Sequence, residues 1–265
     1  VSGHAGGPGG AVPSRFLKSL GAHAVIDPDA LVDGAYILSM GDAQQSHVNL
    51  ASPDEVFYEY LRRIAHVVDL VAPAEAPIDV LHLGAGALTL ARYVQATRPG
   101  SVQHVVELER ELLDFVLAHL PLPPGTDLTV RIGDARSEAD GFAAGTFDVV
   151  VLDIFAGADA PAHLACAEYY GELLRLLSPG GVLLVNVGDD PPLDFARRQA
   201  HLLLETAGDV AVMADASVFS GRYPGNLVFA AVNDRWRHDW TAALLERGPH
   251  PAAVRTGVDA AVFGH

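Results

Sequence analysis

Asp79-Val-Leu-His-Leu-Gly-Ala-Gly86 decides the fold. An apolar run of strand length stops on two glycines one residue apart, and residues 88–97 carry a helical pattern. A buried strand, a glycine turn and a helix in that order open a βαβ unit, because glycine alone turns this tightly without a side-chain clash. The same texture continues downstream. Strands are expected over 102–107, 128–132 and 147–153, with a helix over 109–120. A helix over 167–177 closes on Ser178-Pro-Gly-Gly181 and leads into a strand over 182–187. A further helix spans 197–208, and strands follow near 210–213 and 226–232. Apolar strands alternating with helices predict a parallel sheet covered on both faces, the doubly wound α/β architecture.

Upstream the pattern is different. Ala24-Val-Ile26 and Ala35-Tyr-Ile-Leu38 are short apolar stretches broken by Asp, Pro and Gly, which predicts small strands joined by turns. Ser52-Pro53-Asp54-Glu55 carries helix-opening signals, with an apolar face through Val56, Tyr60, Ile64, Val67 and Val68. The proline-rich stretch 72–77 ends that helix. The expected organisation is a disordered tail over 1–20, a small N-terminal β-domain with its connecting helix over 21–75, a Rossmann-like domain over 76–235, and a C-terminal extension over 236–265.

Composition narrows the function classes. The 265 residues hold 33 Asp and Glu against 17 Lys and Arg, a formal charge of −16, which argues against nucleic acid or an anionic membrane as partner. Half the residues are hydrophobic, which excludes a disordered or collagen-like chain. No apolar run reaches spanning length, and residues 1–15 lack the basic flank and apolar stretch of a signal peptide. Cys166 is the only cysteine, so no intrachain disulfide is expected and the chain reads as cytoplasmic. The 12 histidines form no HExxH pattern, so no metal centre is expected.

In a doubly wound sheet, ligands bind beyond the carboxyl ends of the strands, and four candidates fall there. Gly84 and Gly86 follow the first strand, but Ala87 and Leu88 stand where a dinucleotide loop needs its third glycine, so the turn is a nucleoside site or a plain structural turn. Glu107 ends the second strand, suited to ribose hydroxyls or else a solvated loop acid beside Glu109 and Glu111. Asp134 and Ala135 follow the third, able to read an adenine edge or simply to cap a helix. Asp153 ends the fourth, after an unbroken apolar run, where a reacting group would lie. Together the four describe an adenosine–sulfonium site without a phosphate cradle. His82 reads as a core histidine. His47 is balanced between a structural and a functional role. Asp189-Asp190-Pro191-Pro192 is a loop that either supplies a carboxylate to the site or is a turn.

The sequence resembles the spermidine synthase family, in a divergent actinobacterial-type branch, within the Rossmann-like AdoMet-dependent methyltransferases. The stretches that carry the likeness are Ala43-Gln-Gln-Ser-His47, Asp54-Glu-Val-Phe-Tyr-Glu-Tyr60, Leu81-His-Leu-Gly-Ala-Gly86, Val106-Glu107, Gly133-Asp134, Val151-Leu-Asp153 and Tyr223-Pro-Gly-Asn226. The resemblance implies a Rossmann-like methyltransferase fold behind a small N-terminal β-domain, and a homodimer. It implies ribose on Glu107, adenine on Asp134 and Ala135, and Asp153 as the base that deprotonates the attacking amine. Gln45, Tyr58 and Tyr223 would line the cofactor tail or the polyamine. Two family carboxylates are missing. Ala87 stands for the acid that holds the cofactor's amine tail, and Ala156 for a second acid three residues after Asp153. The expected activity is aminopropyl or methyl transfer from decarboxylated S-adenosylmethionine or S-adenosylmethionine to a small amine or polyamine, with no metal. The alternatives are an AdoMet-dependent methyltransferase acting on a small molecule and a non-catalytic, dimeric nucleoside-binding homologue.

Overall fold

The strand of the deciding motif, β5 (Asp79–Leu83), has Val80, Leu81 and Leu83 fully buried, so both of its faces are covered. The computed structural model describes residues 12–156 and 160–263. β5 lies parallel to β6 (Val102–Glu107) on one side and to β8 (Phe147–Ala156) on the other. β6 pairs with β7 (Asp127–Ile132), and β8 with β9 (Leu177–Asp189), again in parallel. β11 (Gly225–Val232) runs antiparallel to β9, and β10 (Asp209–Asp215) antiparallel to β11. β12 (Ala252–Thr256) closes the far edge against β10. The strand order is β12-β10-β11-β9-β8-β5-β6-β7. It reverses between β5 and β8, and that reversal opens a crevice at the carboxyl ends. This is the expected α/β doubly wound, methyltransferase-like fold.

Side-chain alternation splits the core in two. Val149 and Val151 of β8 join a cluster with Ile64 and Val68 of α1 (Glu59–Val68), Leu90 and Val94 of α2 (Thr89–Thr97) and Trp240 of α7 (His238–Arg247). Val150 and Leu152 face the opposite cluster, with Tyr169 and Leu173 of α5 (Ala167–Arg175) and Ala196, Ala200 and Leu203 of α6 (Asp194–Thr206). A separate antiparallel meander, β1 (Ser14–Leu17), β2 (Ala22–Pro28), β3 (Ala35–Met40) and β4 (Ala43–Asn49), precedes this sheet. Its Leu17, Ile26, Leu38 and Val48 pack on Phe115 and Val116 of α3 (Arg110–His119) and on Ala87.

Three expectations change. Ser14–Leu17 pairs with β2, so the stretch 1–20 is not a tail throughout; residues 1–11 lie outside the described residues. Ser52-Pro53-Asp54-Glu55 is a turn and not the start of α1, because Asn49 captures its polar groups. Asn49 Oδ1 accepts from the Ala51 and Ser52 amides, and Asn49 Nδ2 donates to Glu55. The stretch 236–265 is integrated into the main sheet through β12. Among the described residues no helix is long and apolar enough to cross a membrane.

Arg98 holds the connection between α1 and β5. Its buried guanidinium donates to the carbonyls of Asp69, Ala72, Pro73 and Ala76 at 2.8–3.0 Å. Arg98→Met keeps the apolar stem but strands four carbonyls. Charge-assisted hydrogen bonds contribute about 1.5–3 kcal/mol each and do not add fully, so urea denaturation is expected to show a loss of about 2–4 kcal/mol.

Candidate active site

The first turn of the sheet lies against the last residues of β8. Gly84 has φ +96°, and a Cβ there would stand 2.6 Å from the Asp153 carbonyl oxygen; at Gly86, φ +49°, it would stand 2.7 Å from Ser46 Oγ. Both glycines are therefore demanded by backbone conformation and by space. Neighbours pin the turn. The Ala85 amide donates to Glu107 Oε2 at 2.9 Å, the Ala87 amide to Ser46 Oγ at 3.1 Å, and Arg92 Nε to the Ala87 carbonyl at 3.1 Å. Glu107 Oε1 also accepts from the Glu109 amide. Each oxygen of this carboxylate keeps an acceptor site free, since a carboxylate offers about four.

Asp134 caps α4 (Ala135–Ala139), with Oδ1 accepting from the Arg136 and Ser137 amides. Its Oδ2 takes a 2.7 Å hydrogen bond from His163 Nε2. Burial works against its charge, but the His163 and Ser137 hydrogen bonds outweigh burial and hold the carboxyl below the usual range. The capping alternative is thus realised, with Oδ2 held by His163.

Asp153 accepts from Asn186 Nδ2 at 2.8 Å on Oδ1 and from the Tyr60 hydroxyl at 3.3 Å on Oδ2. Burial pushes its carboxyl above the usual range, against those two hydrogen bonds. Burial and the Asp153 charge likewise push the Tyr60 hydroxyl up, so it stays a donor. Two buried polar atoms beside them have no protein partner, Tyr58 Oη and Asn186 Oδ1.

These groups converge on one cleft of about 1110 Å³. Gly84, Gly86, Glu107, Asp134, Ala135, Asp153, Gln45 and Tyr58 all line it. Tyr223 does not: it is 57% exposed, and its neighbours Pro224 and Asn226 reach the cleft instead. Ala87 is packed into the core under the N-terminal sheet, and its side chain does not line the cleft. The backbone of Ala156 pairs with Gly188, and residues 157–159 lie outside the described residues. His82 is a buried histidine bonded to Gln103, with its pKa lowered by burial to about 4. His47 is buried in β4 between Asp29 and Phe57. Asp189 accepts from the Ala196 amide near the start of α6, so the acidic loop acts there as a turn. Among the described residues no group of three or more His, Cys, Asp or Glu stands together as a metal site.

Sequence reasoning passed over Tyr60 and Asn186. Tyr60 fits the apolar face of its helix, yet a buried tyrosine needs a hydroxyl partner. Asn186 is the lone amide in the run Val182-Leu-Leu-Val-Asn-Val187, a polar group that demands explanation in a buried strand.

No protein-family model matches the chain. A polyamine aminopropyltransferase of Chromobacterium violaceum is 25% identical over 185 residues, covering 64% of this chain and 68% of the relative. A probable spermidine synthase from Corynebacterium glutamicum has a TM-score of 0.80 and 28% identity, covering 90% of this chain and 89% of its own. A spermidine synthase solved with the transition-state analogue AdoDATO shares the fold at 13% identity, with a TM-score of 0.57 over 83% of this chain and 73% of its own. Fold and relatives together define a transferase of the methyltransferase-like α/β class. Within that class the chain is similar to polyamine aminopropyltransferases and spermidine synthases.

Asp153→Asn removes a buried charge while keeping the side-chain shape. Because the folded-state pKa is raised, the wild type carries its burial penalty above that pKa and loses it as pH falls through it. The variant is expected to melt higher than wild type at pH 7, with the difference vanishing toward acid pH in parallel thermal scans.

Proposed function

We propose that the chain transfers an aminopropyl group from decarboxylated S-adenosylmethionine to a primary amine, with Asp153 as general base. The observation that carries this reading is the Asp153 carboxyl. It is half-buried at the switch point, oriented on one oxygen by Asn186 and on the other by Tyr60, in the cleft that the glycine turn, Glu107 and Asp134 also line. Ribose hydroxyls would take the free acceptor sites of Glu107. The adenine edge would meet Asp134 Oδ2 and the Ala135 amide. Gln45 and Tyr58 would flank the donor tail.

The chemistry then needs little beyond alignment and one proton acceptor. Asp153 takes a proton from the acceptor ammonium. The freed nitrogen lone pair forms a bond to the carbon beside the sulfonium, the carbon–sulfur bond breaks, and its electron pair stays on sulfur. Methylthioadenosine leaves uncharged. The raised pKa makes Asp153 a better proton acceptor than an exposed aspartate. The positive sulfur already activates the electrophile, so the scheme requires no metal. A homodimer and a cytoplasmic location belong to the same reading, supported by the family likeness and by the single cysteine.

Methyl transfer from S-adenosylmethionine is the second reading, favoured by Ala87 standing where the resembled family carries an acid for the donor's amine tail. Thermal-shift titration separates the two, because a ligand stabilises the fold by mass action. A response to decarboxylated S-adenosylmethionine without one to S-adenosylmethionine supports aminopropyl transfer, the reverse supports methyl transfer, and no response to either overturns both.

Two variants test the assignments. Asp153→Asn is expected to lower turnover by roughly a hundredfold or more, the usual scale of general base catalysis. Its donor affinity should be unchanged, and its residual rate should rise with pH as free amine appears. Glu107→Ala is expected to weaken donor binding by about 1.5–3 kcal/mol, the scale of charge-assisted hydrogen bonds; unaltered affinity by calorimetry would remove the ribose assignment.

A further inference from the structure

α1 brings a cation into the same cleft. Arg63 lies three residues beyond Tyr60, on the same helix face and about 4.5 Å further along the axis at 1.5 Å per residue. It lines the cleft with only 4% of its surface exposed. Nη2 donates to the Pro249 carbonyl at 3.2 Å, and Nη1 reaches the exposed Glu59 carboxylate at 3.4 Å. That is sparse company for a buried guanidinium, which offers about five N–H donors. Arg98 in the same molecule is held by four carbonyls and Arg92 by three, and neither lines the cleft. Burial lowers the Arg63 pKa, partly offset by Glu59 and Asp215. Asp215, at the end of β10, also lines the cleft and feels the Arg63 charge, yet the two form no direct ion pair. Its carboxylate instead accepts from the Ser217 amide at 2.8 Å.

A separated cation and anion lining one cleft are complementary to a zwitterion. Glu59 lines the cleft beside them and pairs with Arg63, whose remaining N–H groups offer a carboxylate partners that a simple diamine cannot use. Where the family resemblance supplies a second acid three residues after Asp153, this chain has Ala156, one anion fewer for a cationic acceptor.

Resting on the aminopropyl-transfer reading above, we propose that the acceptor is a short α,ω-diamino acid, with its carboxylate on Arg63, its α-ammonium on Asp215 and its ω-amine at Asp153.

Ornithine and putrescine make a matched pair, since they differ by one carboxylate. Each is titrated calorimetrically into the full chain with methylthioadenosine present, and each is assayed as acceptor with decarboxylated S-adenosylmethionine. Ornithine is expected to bind at least about tenfold more tightly than putrescine, the scale of one charge-assisted hydrogen bond. Arg63→Gln should abolish that preference without changing methylthioadenosine affinity, and Arg63→Lys should retain part of it. Putrescine binding as tightly as ornithine to the wild type, a comparison that needs no variant to fold, overturns the proposal. So does a preference that survives in Arg63→Gln. Transfer to putrescine but not to ornithine would likewise overturn this subsite and leave the transferase reading standing. Arg63-dependent ornithine binding without methylthioadenosine binding or transfer would support the subsite and overturn the transferase reading.

Discussion

The contact between a glycine with no side chain and the carbonyl of Asp153 governs the geometry of the site. At Gly84 a single added carbon would meet that oxygen at 2.6 Å. Because the position is empty, the turn after β5 lies flat against β8, and the candidate donor-binding turn and the candidate base share one backbone contact. The turn is then fixed from other sides by Glu107, Ser46 and Arg92. Ser46 belongs to the N-terminal meander, so that small sheet sets the position of a loop in the larger one. Preorganisation of this kind, in which supporting groups hold the reacting ones, is what alignment-dominated chemistry requires.

The electrostatics follow from where water is excluded. Asp153 loses solvation and gains only two hydrogen bonds, so its carboxyl is pushed up. Asp134 receives hydrogen bonds from His163 and the α4 amides and is held down despite its own burial. Two aspartates lining one cleft, at the ends of β7 and β8, are thereby driven apart, one toward accepting a proton and the other toward staying ionised. The difference comes first from burial, which outweighs the amide and phenol partners of Asp153 but not the histidine and helix-start partners of Asp134.

The Rossmann-like half was legible because its strands are long apolar runs and its turns fall on glycines. Gly84, Glu107, Asp134 and Asp153 could be aligned on strand ends with no three-dimensional information, since strand order and periodicity already place them there. The region between β4 and α1 was not legible. Ser52 and Glu55 carry genuine helix-start signals, but Asn49, a tertiary partner from the preceding strand, binds them first. Tyr60 and Arg63 were hidden by a different ambiguity: a tyrosine and an arginine suit a helix surface as well as a cleft wall, and only the register of α1 against β8 and β10 decides. Tyr223 shows the converse, since a motif match places a residue near a site without aiming its side chain.

The anchoring of α1 has a kinetic side. Arg63 donates to the carbonyl of Pro249, and His66 to that of Gly248, partners 186 and 182 residues further along the chain. Contacts of such separation are slow to close, because a long loop must be ordered before they reward it. On a ribosome, the first helix after the meander emerges long before the residues that hold its arginine. Its apolar stripe can dock as soon as the central strands exist, whereas its polar face stays untethered until the segment around 248–256 is made. Maturation of the cleft is thus tied to nearly complete synthesis, and nascent chains that stall before that segment would carry a glycine turn already set in place beside an unfinished α1 wall.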